Sequence, residues 1–138
     1  MRANFETSIK VEVATISALT EQLMEFLHQA GVDARAAHHV ALAAEELLTN
    51  LATHGGAPGA PATLRLAVAP DTVTTEIIDN GHPFDPRTAP DPDLSAGIME
   101  REIGGIGPYL IRKLARSIDY ARRDGANFTT FVIAREAL

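Results

Sequence analysis

Cysteine and tryptophan are both missing from the 138 residues, and aromatic side chains make up only 5% of them. Without cysteine there is no disulfide, no thiolate zinc site and no cysteine nucleophile. With so few rings, the interior has to be packed by Leu, Ile, Val and Ala. Positive charge is scarce as well, with 12 Lys and Arg against 18 Asp and Glu and a formal net charge of −6. Nucleic-acid binding needs clustered cations to neutralise phosphates, and the short run Arg122-Arg123 does not supply them. Long apolar runs are also lacking. The start, MRANFETSIKVEV, has no apolar h-region, and no window approaches the roughly 18 apolar residues of a membrane span. A cytoplasmic protein with neither membrane nor nucleic acid as partner is expected.

What is present is an apolar content of 46%, typical of a globular chain. Residues 1–138 fit one domain with a core large enough to need no staples. Phe5–Val13 alternates Phe5, Thr7, Ile9, Val11 and Val13 against polar neighbours, the pattern of a half-buried strand. Ile16, Leu19, Leu23, Phe26, Leu27 and Ala30 recur at helical spacing, with Gly31 as the stop. Asp33 is the expected N-cap of a second helix that runs to about His54, where Gly55-Gly56 ends it. Ala62–Ala69 and Thr72–Asp79 read as strands of an antiparallel hairpin turning at Pro70-Asp71.

Four of the eight prolines, Pro83, Pro86, Pro90 and Pro92, then fall close together. Neither helix nor strand tolerates that density, so about 81–107 is expected to be a long loop, with a lid over a site as its functional form. Pro108 suits the first turn of a third helix lasting to about Arg116. Two closing strands, Ser117–Arg123 and Asn127–Arg135, are joined by the hairpin signal Asp124-Gly125. The order β-α-α-β-β-lid-α-β-β implies an α/β two-layer sandwich, helices covering one face of a mixed, largely antiparallel sheet.

Three places on this frame could carry chemistry. In ALAAEELLTNLATH, Glu46 and Asn50 are four residues apart and share a side of the helix, away from Leu47 and Leu51; His54 continues their stripe. An acid and an amide on adjacent turns can act as general base and metal-binding oxygen, although a solvated polar face is the commoner explanation for such a segment alone. Asp79 shares the dry side of its strand with Val73, Thr75 and Ile77. A carboxylate there needs donors; it is either a turn-former in Asp79-Asn80-Gly81 or an acceptor for a ligand's amino group, with Gly81 admitting the ligand. Gly104-Gly105-Ile106-Gly107 before a helix offers bare backbone amides suited to phosphate. It matches neither the dinucleotide fingerprint nor the Walker loop. Other residues fare worse: His38, His39, His54 and His82 form no zinc pattern, and Asp91 and Asp93 read as solvated loop acids. Ser95 and Ser117 lack the setting of a nucleophile. Arg112, Lys113 and Arg116 read as the wet face of the third helix.

Together, Glu46-xxx-Asn50, Asp79-x-Gly81 followed by Pro83-Phe84, and Gly104-Gly105-x-Gly107 resemble the motif set of the Bergerat-fold, or histidine-kinase-like, ATPases. Within that superfamily the chain is most similar to the small anti-sigma-factor serine/threonine-protein kinases. EELLTNLATHGG, IIDNGHPFDP and GGIGPYLIRKLARSIDYARRDGANFTTFVI stand in the family's order and spacing. No phospho-acceptor helix pair precedes the domain, so an intact sensor histidine kinase is not expected.

The resemblance implies a fold, cofactors and partners: the Bergerat ATP-binding fold, ATP with Mg²⁺, an anti-sigma-factor antagonist as protein substrate, and a sigma factor or a second copy of the chain as further partners. It makes Glu46 the base, Asn50 the Mg²⁺ ligand, Asp79 the acceptor for the adenine amino group and Gly81 its neighbour beside the ring. Gly105 and Gly107 would hold phosphates, and Thr130 would make a water-mediated contact near the base. Pro108, where an apolar residue is usual, and the proline-rich acidic lid depart from the pattern. They leave open an alternative, a non-catalytic ATP-binding module that sequesters partners.

Overall fold

The computed structural model describes residues 3–56, 59–90 and 107–136. Its elements are β1 (Ala3–Lys10), α1 (Val13–Gln29), α2 (Ala34–His54), β2 (Pro61–Val68), β3 (Thr72–Asp79), α3 (Gly107–Leu114), β4 (Ser117–Arg123) and β5 (Ala126–Ala134). The order is the expected one; several boundaries shift by a residue or two, and the end of the first strand by more. The first strand ends at Lys10 rather than Val13 because the Glu12 amide donates to the Thr15 hydroxyl at 3.1 Å, starting α1 there. Val13, counted above as an inward strand position, is 71% exposed on the first turn of α1.

Local chemistry elsewhere follows the residues. Gly31 takes a positive φ of 77° after α1. Asp33 caps α2 by accepting from the Ala36 amide at 3.1 Å. Asp124 and Gly125 have φ of 52° and 78°, the backbone that a two-residue type I′ hairpin demands.

All five strands form one sheet in the order β1-β2-β3-β5-β4, every neighbouring pair antiparallel. Among the described residues the sheet is therefore antiparallel throughout rather than mixed. Its buried face carries Leu64, Leu66 and Val68 from β2, Val73 and Ile77 from β3, and Phe131 and Ile133 from β5. The helices lie on that face, with α2 in the middle, α1 and α3 against it, and β3 and β5 in contact with it. Leu19, Leu23 and Leu27 of α1, Val40, Ala44 and Leu48 of α2, and Ile111 of α3 complete the core.

Register decides what closes the core at one end. Asp79 stands opposite Ala62 on β2 and Asn127 on β5, and Asn127 stands opposite Arg122 on β4. The next row inward is Leu64, Ile77, Thr129 and Tyr120. Asp79, Asn127 and Arg122 thus stand one row outside the apolar Leu64 and Ile77, at the edge of the core. The site lies there.

Candidate functional site

The driest side of α2 is made of alanines with Val40 and Leu48. On its flank, Leu47, Asn50, Leu51 and His54 border a cavity of about 310 Å³. These four positions follow the i, i+3, i+4, i+7 pattern of a single helix stripe. Leu47 and Leu51 are therefore beside Asn50 and not on the opposite side, as expected above. Ile77, Asp79 and Thr129 of the sheet form more of the wall, with Pro83 and Phe84 from the segment after β3.

Asp79, 9% exposed, faces inward as its strand parity requires. Its Oδ1 accepts from the Gly81 amide at 2.8 Å and from Asn127 Nδ2 at 2.9 Å. Two donors offset the cost of taking a carboxylate out of water. Oδ2 accepts from no described residue, and it remains for whatever enters the cavity.

Asn127 was missed on the sequence. Its inward parity in β5 was legible, but its facing partner was not, because the β3–β5 pairing joins strands 48 residues apart. It also donates to the His82 carbonyl at 2.8 Å, and its own Oδ1 accepts from Tyr120 Oη and, at 3.0 Å, from Arg122 Nη1. Arg122 Nη1 reaches the Gly81 carbonyl at 2.8 Å as well. The exit of β3 is thereby tied to the β4–β5 hairpin.

Gly81 is bare for the protein's own packing. A Cβ there would sit 2.6 Å from Leu51 Cδ1 and 3.1 Å from the Gly55 carbonyl oxygen, so the expected purpose of admitting a ligand gives way to contact with the end of α2. Gly56, with φ of 77°, seats the His82 ring: a Cβ would lie 1.9 Å from Nε2. The His82 amide donates to the Gly55 carbonyl at 2.9 Å.

Glu46 is half-buried, and its carboxyl is pushed above the usual range by loss of water and then by the charge of Glu45. Gly107, the first residue of α3, lies against it, since a Cβ there would be 3.2 Å from both Cβ and Oε2 of Glu46. The start of α3 is thus brought to the acid of α2. Gly104 and Gly105 lie outside the described residues, as do Asp91, Asp93 and Ser95.

Two expectations need correction. Thr130 is on the opposite face of the sheet, opposite Glu76 and beside Arg65, because the inward positions of β5 are Asn127, Thr129, Phe131 and Ile133. Thr129 is the threonine at the cavity. Arg112 is not simply on a wet face, for its Nη1 donates to the carbonyl of fully buried Pro86 at 2.7 Å, fastening α3 to the start of the loop after β3.

Residues 9–133 match the histidine kinase-like ATPase domain. The chain belongs to that family. It is 35% identical over 99 residues to the serine/threonine-protein kinase BtrW of Bordetella bronchiseptica, covering 70% of each chain. Among solved structures, the fold resembles that of the RsbU and RsbW domains of Rv1364c from Mycobacterium tuberculosis, with a TM-score of 0.65 at 17% identity. That alignment covers 98% of this chain, which spans about a third (34%) of the other. The SiaB–SiaC complex of Pseudomonas aeruginosa gives a TM-score of 0.60 at 15% identity, over 94% of this chain and 89% of that one. The five-stranded antiparallel sheet under three helices, as seen in the described residues, is thus a fold shared with these solved structures.

A purine nucleotide suits the donor set at the cavity. Apolar walls from Leu47, Leu51 and Ile77 flank one carboxylate oxygen free to accept, in a volume within the usual range for small-molecule sites. Asn50 supplies a neutral oxygen on the adjoining flank. Magnesium takes most of its ligands from phosphate and water, so one protein oxygen is a chemically adequate contribution.

Proposed function

We propose that this protein is a cytoplasmic, ATP- and Mg²⁺-dependent serine/threonine protein kinase of a bacterial partner-switching system. Its substrate would be a small antagonist of an anti-sigma factor, and a sigma factor would be a second partner. The observation that carries this reading is that Asp79 of β3 and Asn50 of α2 line one cavity, with Glu46 one helical turn before Asn50 and the start of α3 against that acid. Membership of the ATPase family and the kinase name of the Bordetella relative support it.

In this reading each side chain has one task. Asp79 Oδ2 accepts from the amino group of the base, while Leu47, Leu51 and Ile77 cover the ring and exclude water. Asn50 would hold the metal, which when bound would neutralise charge on the phosphate oxygens. Amides at Gly105 and Gly107 contact phosphate. Glu46 accepts the proton of the attacking serine or threonine hydroxyl, and its raised proton affinity brings it nearer to a general base's working range. Phosphoryl transfer asks the protein for little beyond such positioning and charge neutralisation.

A second reading, an ATP-binding module without transfer, is favoured by one observation. Pro108 is buried in the first turn of α3, immediately after Gly107, and its ring fixes the backbone φ there. Incubation with labelled ATP, Mg²⁺ and the candidate antagonist separates the two. Label on the antagonist that disappears in Glu46→Gln supports the kinase; tight ATP binding with no transfer supports the module.

A further inference from the structure

Resting on the assignment of Asp79 to the base, we infer that Asn127 is a positioning residue that makes the site selective for adenine over guanine. Its amide cannot turn over. The partners of Nδ2, Asp79 Oδ1 and the His82 carbonyl, are acceptors, whereas those of Oδ1, Tyr120 Oη and Arg122 Nη1, are donors. Exchanging oxygen and nitrogen would set donor against donor on one side and acceptor against acceptor on the other. With 2% of its surface exposed, Asn127 is almost wholly withdrawn from bulk solvent.

The consequence falls on Asp79. A free carboxylate has two oxygens and accepts two parallel donors in a fork. Guanine presents such a fork, its ring N–H beside its amino group. Adenine presents a single amino donor on the corresponding edge. Asp79 has only one oxygen left, because Asn127 at 2.9 Å and the Gly81 amide at 2.8 Å occupy Oδ1. One acceptor matches adenine. Guanine in the same place would keep one N–H aimed at an oxygen already in use, a buried donor without a partner.

Only proline would remove the Gly81 amide, and a Cβ at that position would clash with Leu51, so Asn127 is where selectivity can be altered. Binding of ATP and of GTP, each with Mg²⁺, to the full chain is measured by titration calorimetry for the wild type, Asn127→Ala and Tyr120→Phe. The wild type should prefer ATP. Asn127→Ala should weaken ATP and reduce the ATP-to-GTP affinity ratio by roughly tenfold. Tyr120→Phe keeps Asn127 but removes the hydroxyl behind it, and should shift the ratio the same way by less. Loss of structure alone would weaken both nucleotides in proportion, so an unchanged ratio in both variants overturns the inference. If Asn127→Ala fails to fold, the Tyr120→Phe ratio decides. A wild type that binds neither nucleotide overturns the assignment of Asp79 itself, a different and recognisable failure.

Discussion

At the scale of single residues, two side chains sit in places that folding alone would not choose. Glu46 holds its proton more tightly in the folded chain because water is withdrawn from it and Glu45 is near. An acid whose folded-state pKa is raised contributes stability below its unfolded value and loses it as pH rises through the folded one. Glu46→Gln should therefore melt higher than the wild type at neutral pH, and the gap should close as pH falls into the carboxylate range. Melting curves across pH check this, and equal Tm values throughout would contradict it. Transfer by the wild type should fall over the same acidic limb, since the base must be ionised, and Glu45→Gln should move that limb to lower pH. Thr75 is the other case. It is fully buried between Leu66 and Phe131, and its hydroxyl has no hydrogen-bond partner among the described residues. Thr75→Val keeps the shape and removes the orphan, so a gain of about 1 kcal/mol is expected in urea unfolding.

At the scale of elements, the site depends on how the ends of helices and strands meet. α2 begins at Asp33, which caps it through Ala36 and also accepts from the Glu136 amide at 2.8 Å. The Glu136 amide, then burial acting the other way, then Ala36 leave the Asp33 carboxyl below its ordinary range. A lowered carboxyl stabilises above its unfolded pKa and ceases to do so as pH falls through the folded value. Asp33→Ala should cost about 1 kcal/mol, the usual worth of an N-cap, and that difference should fade in acid. At the other end of α2, the seat formed with Gly81 is close-packed. Gly81→Ala places a Cβ 2.6 Å from Leu51 and near the Gly55 oxygen. The expected result is a loss of about 1–3 kcal/mol together with weaker nucleotide binding, because overpacking here moves the amide that holds Asp79. Unfolding curves and calorimetry on one preparation test both parts.

Over the whole molecule, the two ends of the sheet have different tasks. One carries Asp79, Asn127 and the cavity; the other is held by Arg135, which is 7% exposed. Its guanidinium donates to the carbonyls of Gly31 at 2.9 Å and Ala69 at 3.4 Å, joining the α1–α2 corner to the β2–β3 turn. Strand geometry separates this clamp from the cavity by roughly 20 Å. Arg135→Ala should therefore lower stability by about 1–3 kcal/mol, through loss of the charged donor to both carbonyls, with ATP affinity unchanged where the variant is folded. A coupled loss of affinity in folded protein would show that the two ends are not independent.

The residues alone determined the kinds and order of the elements, because each rests on a short-range rule. Apolar spacing marks α1 and α2, Asp33 and Gly31 mark their ends, Asp124-Gly125 demands its hairpin, and parity turns Asp79 inward. The two prominent differences, Val13 and Thr130, came from extending a strand past a helix cap and from a position implied by the family resemblance that falls on the outward parity of β5. Only the tertiary structure decided that Asn127 faces Asp79, that Leu47 and Leu51 wall the cavity with Asn50, and that Gly107 abuts Glu46. Those contacts join distant parts of the chain, and register between strands and the approach of one helix to another are set by packing of the whole core.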